Sequence, residues 1–329
     1  MATAIDNLYR SDFNLDFVKD ILWRDHAGDT VLWLMNPSLT TEPGSITTLP
    51  FVSPDWHVKA AAEFERFIGG DSDILWQNDS GALALWQMGG STITAITELP
   101  NPGPTWHVVG DNDFDRDFGD DILFQNDNGS LAIWTEIVGL GGSTNPDVFA
   151  CSQNPGPTWH VVGTGDTNDD QVAGILWQHD SGALALWENP AFVAGTITFT
   201  TAAALPTVDR SWHAKGMADL DGDVTVDNDN WIVFQNDNGA VAVWDIGGAN
   251  VAAVTAMNLV NLNPGPSWHI VGMRDMDNDG RPGILFQNDN GAAAVWENYQ
   301  SLGGGMATFN TVLPINPNPN PNGHVWDLL

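Results

Sequence analysis

The acidic residues of this chain recur at a spacing suited to binding a metal. The segment DFNLDFVKD carries Asp12, Asn14, Asp16 and Asp20. DFDRDFGDD carries Asp113, Asp115, Asp117 and Asp121, and DLDGDVTVD carries Asp219, Asp221, Asp223 and Asp227. All three read D-x-[DN]-x-D-x-x-x-D. Calcium takes six to eight hard oxygen ligands, and alternate positions of a tight loop aim their side chains at one centre. An EF-hand shares the first three positions but closes with a Glu at position twelve. Here position nine, beside a strand, supplies the last carboxylate, so the loop is not an EF-hand. Two more copies keep Asp166, Asn168 and Asp170 with Gly174 at position nine, and Asp275, Asp277 and Asp279 with Gly283 there. Each lacks one ligand, so each is expected to bind more weakly or to complete itself with water or backbone. A sixth copy, EFERFIGGDSD, aligns only Asp73, with Glu65, Phe67 and Gly69 in the other slots, and is expected to be empty. Asp, Asn and Gly also suit plain turns, but five loops in register favour metal.

These loops lie between segments that repeat. NPGPTWHVVG stands at 101–110 and again at 154–163, and NPGPSWHIVG at 263–272. The Trp of that stretch falls at Trp56, Trp106, Trp159, Trp212 and Trp268, in steps of 50, 53, 53 and 56 residues. A second string, ILWQNDSGALALW at 74–86, returns at 122–134, 175–187, 232–244 and 284–296, with a divergent first copy at 21–33. Each of the six units reads as four short strands. WHVVG is the first, and DILW and LALW follow, joined by an Asn-Asp-x-Gly turn. A Thr/Ala/Val-rich strand ends the unit. No segment sustains a capped helical period. Four strands per unit of this length mark a β-propeller blade. The expected fold is therefore all-β: a single domain over residues 1–329, folded as a six-bladed β-propeller of four-stranded blades. HVWDLL at 324–329 reads as a strand that pairs into the first blade and closes it, after a stiff NPNPNPNG linker at 316–323.

Composition narrows the partners. The formal net charge is -32, with only 10 Lys and Arg. That argues against nucleic acid and anionic membranes, which need basic patches. The single Cys151 forms no internal disulfide. The opening MATAIDNLYRSDFN has no basic and apolar leader pattern. Either the protein stays inside, or it is an excised fragment, or it leaves by a route that needs no N-terminal signal; the expectation is a secreted or cell-surface protein.

The D-x-[DN]-x-D-x-x-x-D loops followed by ILW or ILF, a Gly-containing hairpin and LALW resemble the FG-GAP/VCBS repeat family, which includes the integrin α-subunit propellers. The resemblance covers essentially all of 12–326. It implies calcium in the loop joining the first two strands of each blade. Family members with a known role are mostly adhesion modules or lectins, including a fungal lectin that binds amino sugars between blades. Seven blades are commoner in the family; six repeats here favour six. Bacterial members with NPGPSWH units are similar still, and imply no activity.

In such a ring the loops between strands one and two share one face with calcium, while the QNDNG turns and PGPTWH segments project to the other. That second face gathers candidate carbohydrate-binding residues: Trp56, His57, Trp106, His107, Trp159, His160, Trp212, His213, Trp268 and His269, with Gln77, Asn78, Asp79, Gln125, Asn126, Asp127, Gln235, Asn236, Asp237, Gln287, Asn288 and Asp289. An aromatic face with a few fixed polar partners is how proteins hold sugars. Each column also has a structural reading: the His bonds backbone, and the Gln, Asn and Asp form turns. The LALW column (Trp33, Trp86, Trp134, Trp187, Trp244, Trp296) reads as packing between blades. Off-pattern His26, His179 and Cys151 form no nucleophile–base pair, so no enzyme is expected. The expected function is a calcium-stabilised multivalent lectin for glycans or glycoproteins, with a protein-binding adhesion module as the alternative.

Overall fold

Apolar runs bounded by Asn, Asp and Gly become strands here because no run is long enough for a helix, and each is cut off by turn chemistry. The computed structural model describes residues 11–36, 39–65, 70–138, 145–168, 170–222, 230–247, 253–315 and 326–328. Among them there is no helix. The first repeat supplies β1 (Ile21–Asp25), β2 (Thr30–Asn36) and β3 (Leu39–Thr48), the second β4 (Trp56–Ala62), β5 (Asp73–Asn78), β6 (Leu83–Gly89) and β7 (Thr92–Leu99). The third is β8 (Trp106–Asn112), β9 (Asp121–Asn126), β10 (Leu131–Thr135) and β11 (Asp147–Cys151). The fourth is β12 (Trp159–Gly165), β13 (Gly174–His179), β14 (Leu184–Val193) and β15 (Thr196–Leu205). The fifth is β16 (Trp212–Ala218), β17 (Asn230–Asn236), β18 (Val241–Gly247) and β19 (Ala253–Val260). The sixth is β20 (Trp268–Arg274), β21 (Gly283–Asn288), β22 (Ala293–Gly303) and β23 (Met306–Pro314), and β24 (Trp326–Leu328) follows.

Each repeat is an antiparallel meander. The second and first stand as four-stranded sheets, ordered β4-β5-β6-β7 and β24-β1-β2-β3. The C-terminal strand thus pairs into the first repeat as the sequence suggests, Trp23 opposite Leu328. The other repeats join in pairs into two eight-stranded sheets. The joints are short parallel contacts between outermost strands, Ala150–Cys151 of β11 with Thr196–Ile197 of β15, and Leu259–Val260 of β19 with Met306–Ala307 of β23. The chain packs as two compact units, one holding β4–β15 and the other β1–β3 and β16–β24. The linker at 316–323 and most of residues 1–11 lie outside the described residues.

Burial follows position in the meander. The second strand is enclosed on both faces, as in Ile74, Leu75 and Trp76, whereas the fourth alternates toward solvent. The LALW tryptophans pack against the aromatic residue of the neighbouring second strand within their own repeat. Trp23–Trp33, Trp76–Trp86, Phe124–Trp134, Trp177–Trp187, Phe234–Trp244 and Phe286–Trp296 all meet at centroid distances of 4.5–5.3 Å. Such tilted aromatic pairs add about 0.5–1.5 kcal/mol beyond burial. The first strand carries a bulge at one fixed place, between Val58 and Ala60, Val108 and Gly110, Val161 and Gly163, Ala214 and Gly216, and Ile270 and Gly272. The bulge bends the strand and increases its twist, and it forms with Gly in four repeats and with Ala60 in the second.

The repeated NPG has its own cause. The turn glycine closes the hairpin with φ near +87°, and a Cβ on Gly81, Gly129 or Gly239 would lie 2.2–2.3 Å from the carbonyl carbon of Gly103, Gly156 or Gly265. Each turn therefore rests on the NPG of the next repeat, backbone against backbone.

Candidate functional site

Three acidic loops share one backbone form at two positions, and two more show it at the one of these that lies among the described residues. The fourth residue is left-handed in Leu15, Arg116, Gly222 and Asn278, and the sixth in Phe17, Phe118, Gln171 and Gly280, with φ of 56–84°. A side chain in that conformation costs roughly 1–2 kcal/mol. Even bulky, half-exposed Phe118 accepts it, so the loop geometry is imposed by something other than residue preference. In the third repeat the first Asp does this: Asp113 accepts from the amides of Arg116 (2.6 Å) and Phe118 (3.0 Å).

Two loops bring three carboxylates together. In Asp113, Asp115 and Asp117, and again in Asp275, Asp277 and Asp279, one carboxylate oxygen from each residue lies within 4.8 Å of the others, a grouping able to hold a metal ion. In the third repeat, position nine feels their charge. Asp121 is buried and accepts from Phe114 N. Burial, then the charge of Asp115, pushes its carboxyl well up, with Asp113 and Asp117 adding to it. Hard oxygen donors packed this closely repel one another and fit a divalent cation.

The other loops are placed less uniformly. In the fourth repeat Asp166 accepts from Asn168, Asp170 and Gln171 amides, and Asn168 Nδ2 donates to Asp170 Oδ2. In the fifth, Asp219 accepts from Gly222 N, and burial leads in pushing its carboxyl up to about 6 beside Asp221. Asp223 and Asp227 lie outside the described residues. In the first repeat Asp12 and Asn14 belong to one compact unit, and Asp16 and Asp20 to the other. Asn14 N donates to Asp12, Val18 N to Asp16, and Met35 N to Asp20. In the second repeat burial raises both Glu63 and Asp73 to about 8.

Three acidic residues were not singled out by the sequence reading. Glu188, Asp245 and Glu297 each follow the LALW-type tryptophan. Glu297 is 2 % exposed, and its Oε1 is buried without a hydrogen-bond partner among the described residues. Asp275 Oδ1 and Asp277 Oδ1 are in the same condition. Burial leads in pushing the Glu297 carboxyl up to about 9, and Asp277, Asp275 and Asp279 add to it, so it faces the loop. Glu188, also 2 % exposed, accepts from Thr167 Oγ1 through one oxygen, while Oε2 is buried without such a partner. A comparison of position nine with the residue across the hairpin would have found Glu188 and Glu297.

At the opposite end of the hairpins the Trp–His and turn columns separate into two groups. Gln77 is buried, and its amide is spent on the next repeat: Nε2 donates to Trp106 O and Oε1 accepts from Val108 N. Gln125 donates to Trp159 O, and Gln235 binds Trp268 O and Ile270 N in the same way. These glutamines are inter-repeat clamps, and a sugar would find no free amide on Gln77 or Gln235. The asparagines are held too, Asn78 by Asp55, Asn126 by Thr105, Asn236 by Ser211 and Asn288 by Ser267. The histidines and aspartates face solvent as pairs. Nε2 of His57, His107, His160, His213 and His269 lies 2.7–2.8 Å from Oδ1 of Asp79, Asp127, Asp180, Asp237 and Asp289. Asp180 completes a set from which the sequence reading omitted it. Trp106, Trp159 and Trp268 lie partly buried against the core. A separate open cleft of about 420 Å³ lies beside Asp115, Arg116 and Asp170, lined also by Phe192 and Asn189.

No family model matches the chain, and no curated protein matches it. Among solved structures, it is similar to the crystal structure of human WBSCR16, with 14% identity and a TM-score of 0.43, over 90% of this chain and 81% of that one. It is also similar to the computationally designed Ika8 protein, with 9% identity and a TM-score of 0.38, over 74% of this chain and 59% of that one.

Proposed function

We propose that the six meanders are blades of one closed six-bladed β-propeller of the FG-GAP/VCBS type, held in register by calcium, and that the protein is a non-enzymatic, multivalent carbohydrate binder working outside the cell. Support for the ring comes from the six equivalent meanders and from β24 completing the first of them. Support for calcium comes from the two clustered aspartate triads. The observation that carries the ligand reading is the solvent-facing His–Asp pair repeated five times beside a partly buried Trp. A fixed carboxylate–imidazole edge offers sugar hydroxyls both an acceptor and a donor, and the ring face offers apolar contact. Each such place is shallow and weak alone, and repetition multiplies its effect on a glycosylated surface.

The test is isothermal titration with monosaccharides beside a glycan array, each with calcium and with chelator. Binding to arrayed glycans much tighter than to free sugar, weakened when His107 and Asp127 are both changed to Ala and lost when all five His–Asp pairs are, is the expected result. Absence of binding on both, in calcium-loaded protein, overturns the lectin reading in favour of a protein-binding adhesion module. Turnover of a glycan overturns it in favour of an enzyme. Chelation is expected to lower the melting temperature and calcium to restore it, since an ion bound only to the native state stabilises it.

A further inference from the structure

The rung just before the Ile that opens the second-strand core carries one acidic side chain in every repeat, but not always on the same strand. It holds position nine in every repeat except the fifth, where Asp227 comes four residues earlier in the chain. Ile284 pairs with Trp296, so Gly283 and Glu297 are the next pair along β21 and β22. The same step places Asp20 opposite Leu34, Asp73 opposite Gln87, Asp121 opposite Thr135 and Gly174 opposite Glu188. In the fifth repeat Trp231 stands opposite Asp245. Where the second strand offers Asp, the third offers Leu, Gln or Thr; where it offers Gly or Trp, the third offers Glu or Asp. The exchange is steric as well as chemical. A Cβ on Gly283 would lie 2.2 Å from Glu297 Oε2, so the Glu occupies the space that an Asp at position nine would fill.

We propose that Glu297 is the closing carboxylate of a divalent-cation site with Asp275, Asp277 and Asp279, and that Glu188 closes the fourth-repeat site with Asp166 and Asp170 in the same way. The proposal rests on the reading that the acidic loops hold calcium. It reverses the expectation that Gly174 and Gly283 leave those sites one ligand short. A buried carboxylate oxygen with no hydrogen bond among the described residues, across the rung from the end of a loop that gathers three more carboxylates, lacks compensation until a cation supplies it. Glu also reaches further than Asp by one methylene, which suits it to span the rung from the third strand.

The test uses the full chain. Metal-stripped protein is titrated with calcium chloride by calorimetry, and calcium retained after gel filtration is measured by elemental analysis. Glu297→Gln is expected to lose one calcium equivalent from the tight class, weakened about tenfold or more, because ligand charge sets affinity. The metal-free melting temperature of that variant should stay level or rise, which loss of a merely structural contact would not produce. The double change Gly283→Asp with Glu297→Ala moves the carboxylate across the rung and should restore the equivalent. Should Glu297→Gln fail to fold, the double variant decides: a full complement supports the exchange and one fewer overturns it. If Glu297→Gln keeps every equivalent while Asp277→Asn loses one, the loop binds calcium without Glu297 and this inference alone fails. If the unaltered protein binds no calcium, the reading beneath it fails as well.

Discussion

Gly129 and Gly156 touch, yet they should respond differently to the same substitution. Both have positive φ, near +87° and +91°. A methyl on Gly156 meets nothing within 4 Å, so Gly156→Ala carries only the left-handed penalty, about 1–2 kcal/mol. A methyl on Gly129 would sit 2.2 Å from the Gly156 carbonyl carbon, which is backbone and cannot swing aside. Gly129→Ala should cost several-fold more or prevent folding, as read by urea unfolding of the two variants side by side. Equal costs would mean that the contact between turn and NPG is slack. The triad residues tell a related story about charge. Three aspartates within reach of one another, with Glu297 above them, are a poor arrangement for water alone and a good one for a cation.

The meander is the element on which everything else is hung, and its joints are made by side chains as much as by strands. Gln77→Leu should cost about 2–4 kcal/mol, because Trp106 O and Val108 N then lose buried partners. Asn78→Ala, at an exposed turn, should cost far less. Denaturant midpoints of the two variants check this, and a Gln77→Leu loss no larger than that of Asn78→Ala would remove the clamp. These elements were largely legible in the sequence. The hairpin string, the Asn-Asp-x-Gly turns and the returning strand HVWDLL each mark their own position, because turn chemistry and burial are local. The partners of Gln77 were not legible: that side chain sits among turn formers, and only the register of the following repeat shows where its amide goes. The Glu297 carboxylate was hidden for the same reason. It lies across a ladder from position nine, and ladder partners are remote in a linear reading. The aspartate triads of the third and sixth repeats were visible, since alternation within five residues is itself a local pattern.

For the molecule as a whole, charge dominates the response to conditions. With a formal net charge of -32, the metal-free chain repels itself, and its buried carboxyls sharpen the effect. Glu63 and Asp73 rise from ordinary values of 4.5 and 3.8 to about 8, with burial the leading cause in each. A raised pKa means the native state holds protons that the unfolded state has released. Their stabilising contribution is full below about pH 4 and is lost as pH rises through about 8. Melting of metal-free protein should therefore fall across that window, and Glu63→Gln with Asp73→Asn should flatten the fall. A melt that climbs with pH over the same range would contradict it.

The pairing of Trp23 with Leu328 also fixes a timetable. A ribosome releases residues in order, so β1 emerges long before its neighbour β24. The unit holding β4–β15 is nearly continuous in the chain and can assemble while synthesis proceeds. The unit holding β1–β3 cannot finish until β24 arrives. Meanwhile one flank of β1 offers unpaired amides and carbonyls, a template for joining a neighbouring nascent chain. A circular permutant that places residues 326–328 just ahead of β1 would abolish that wait, converting the longest-range contact of the sheet into a local one and shifting the slowest step of folding elsewhere.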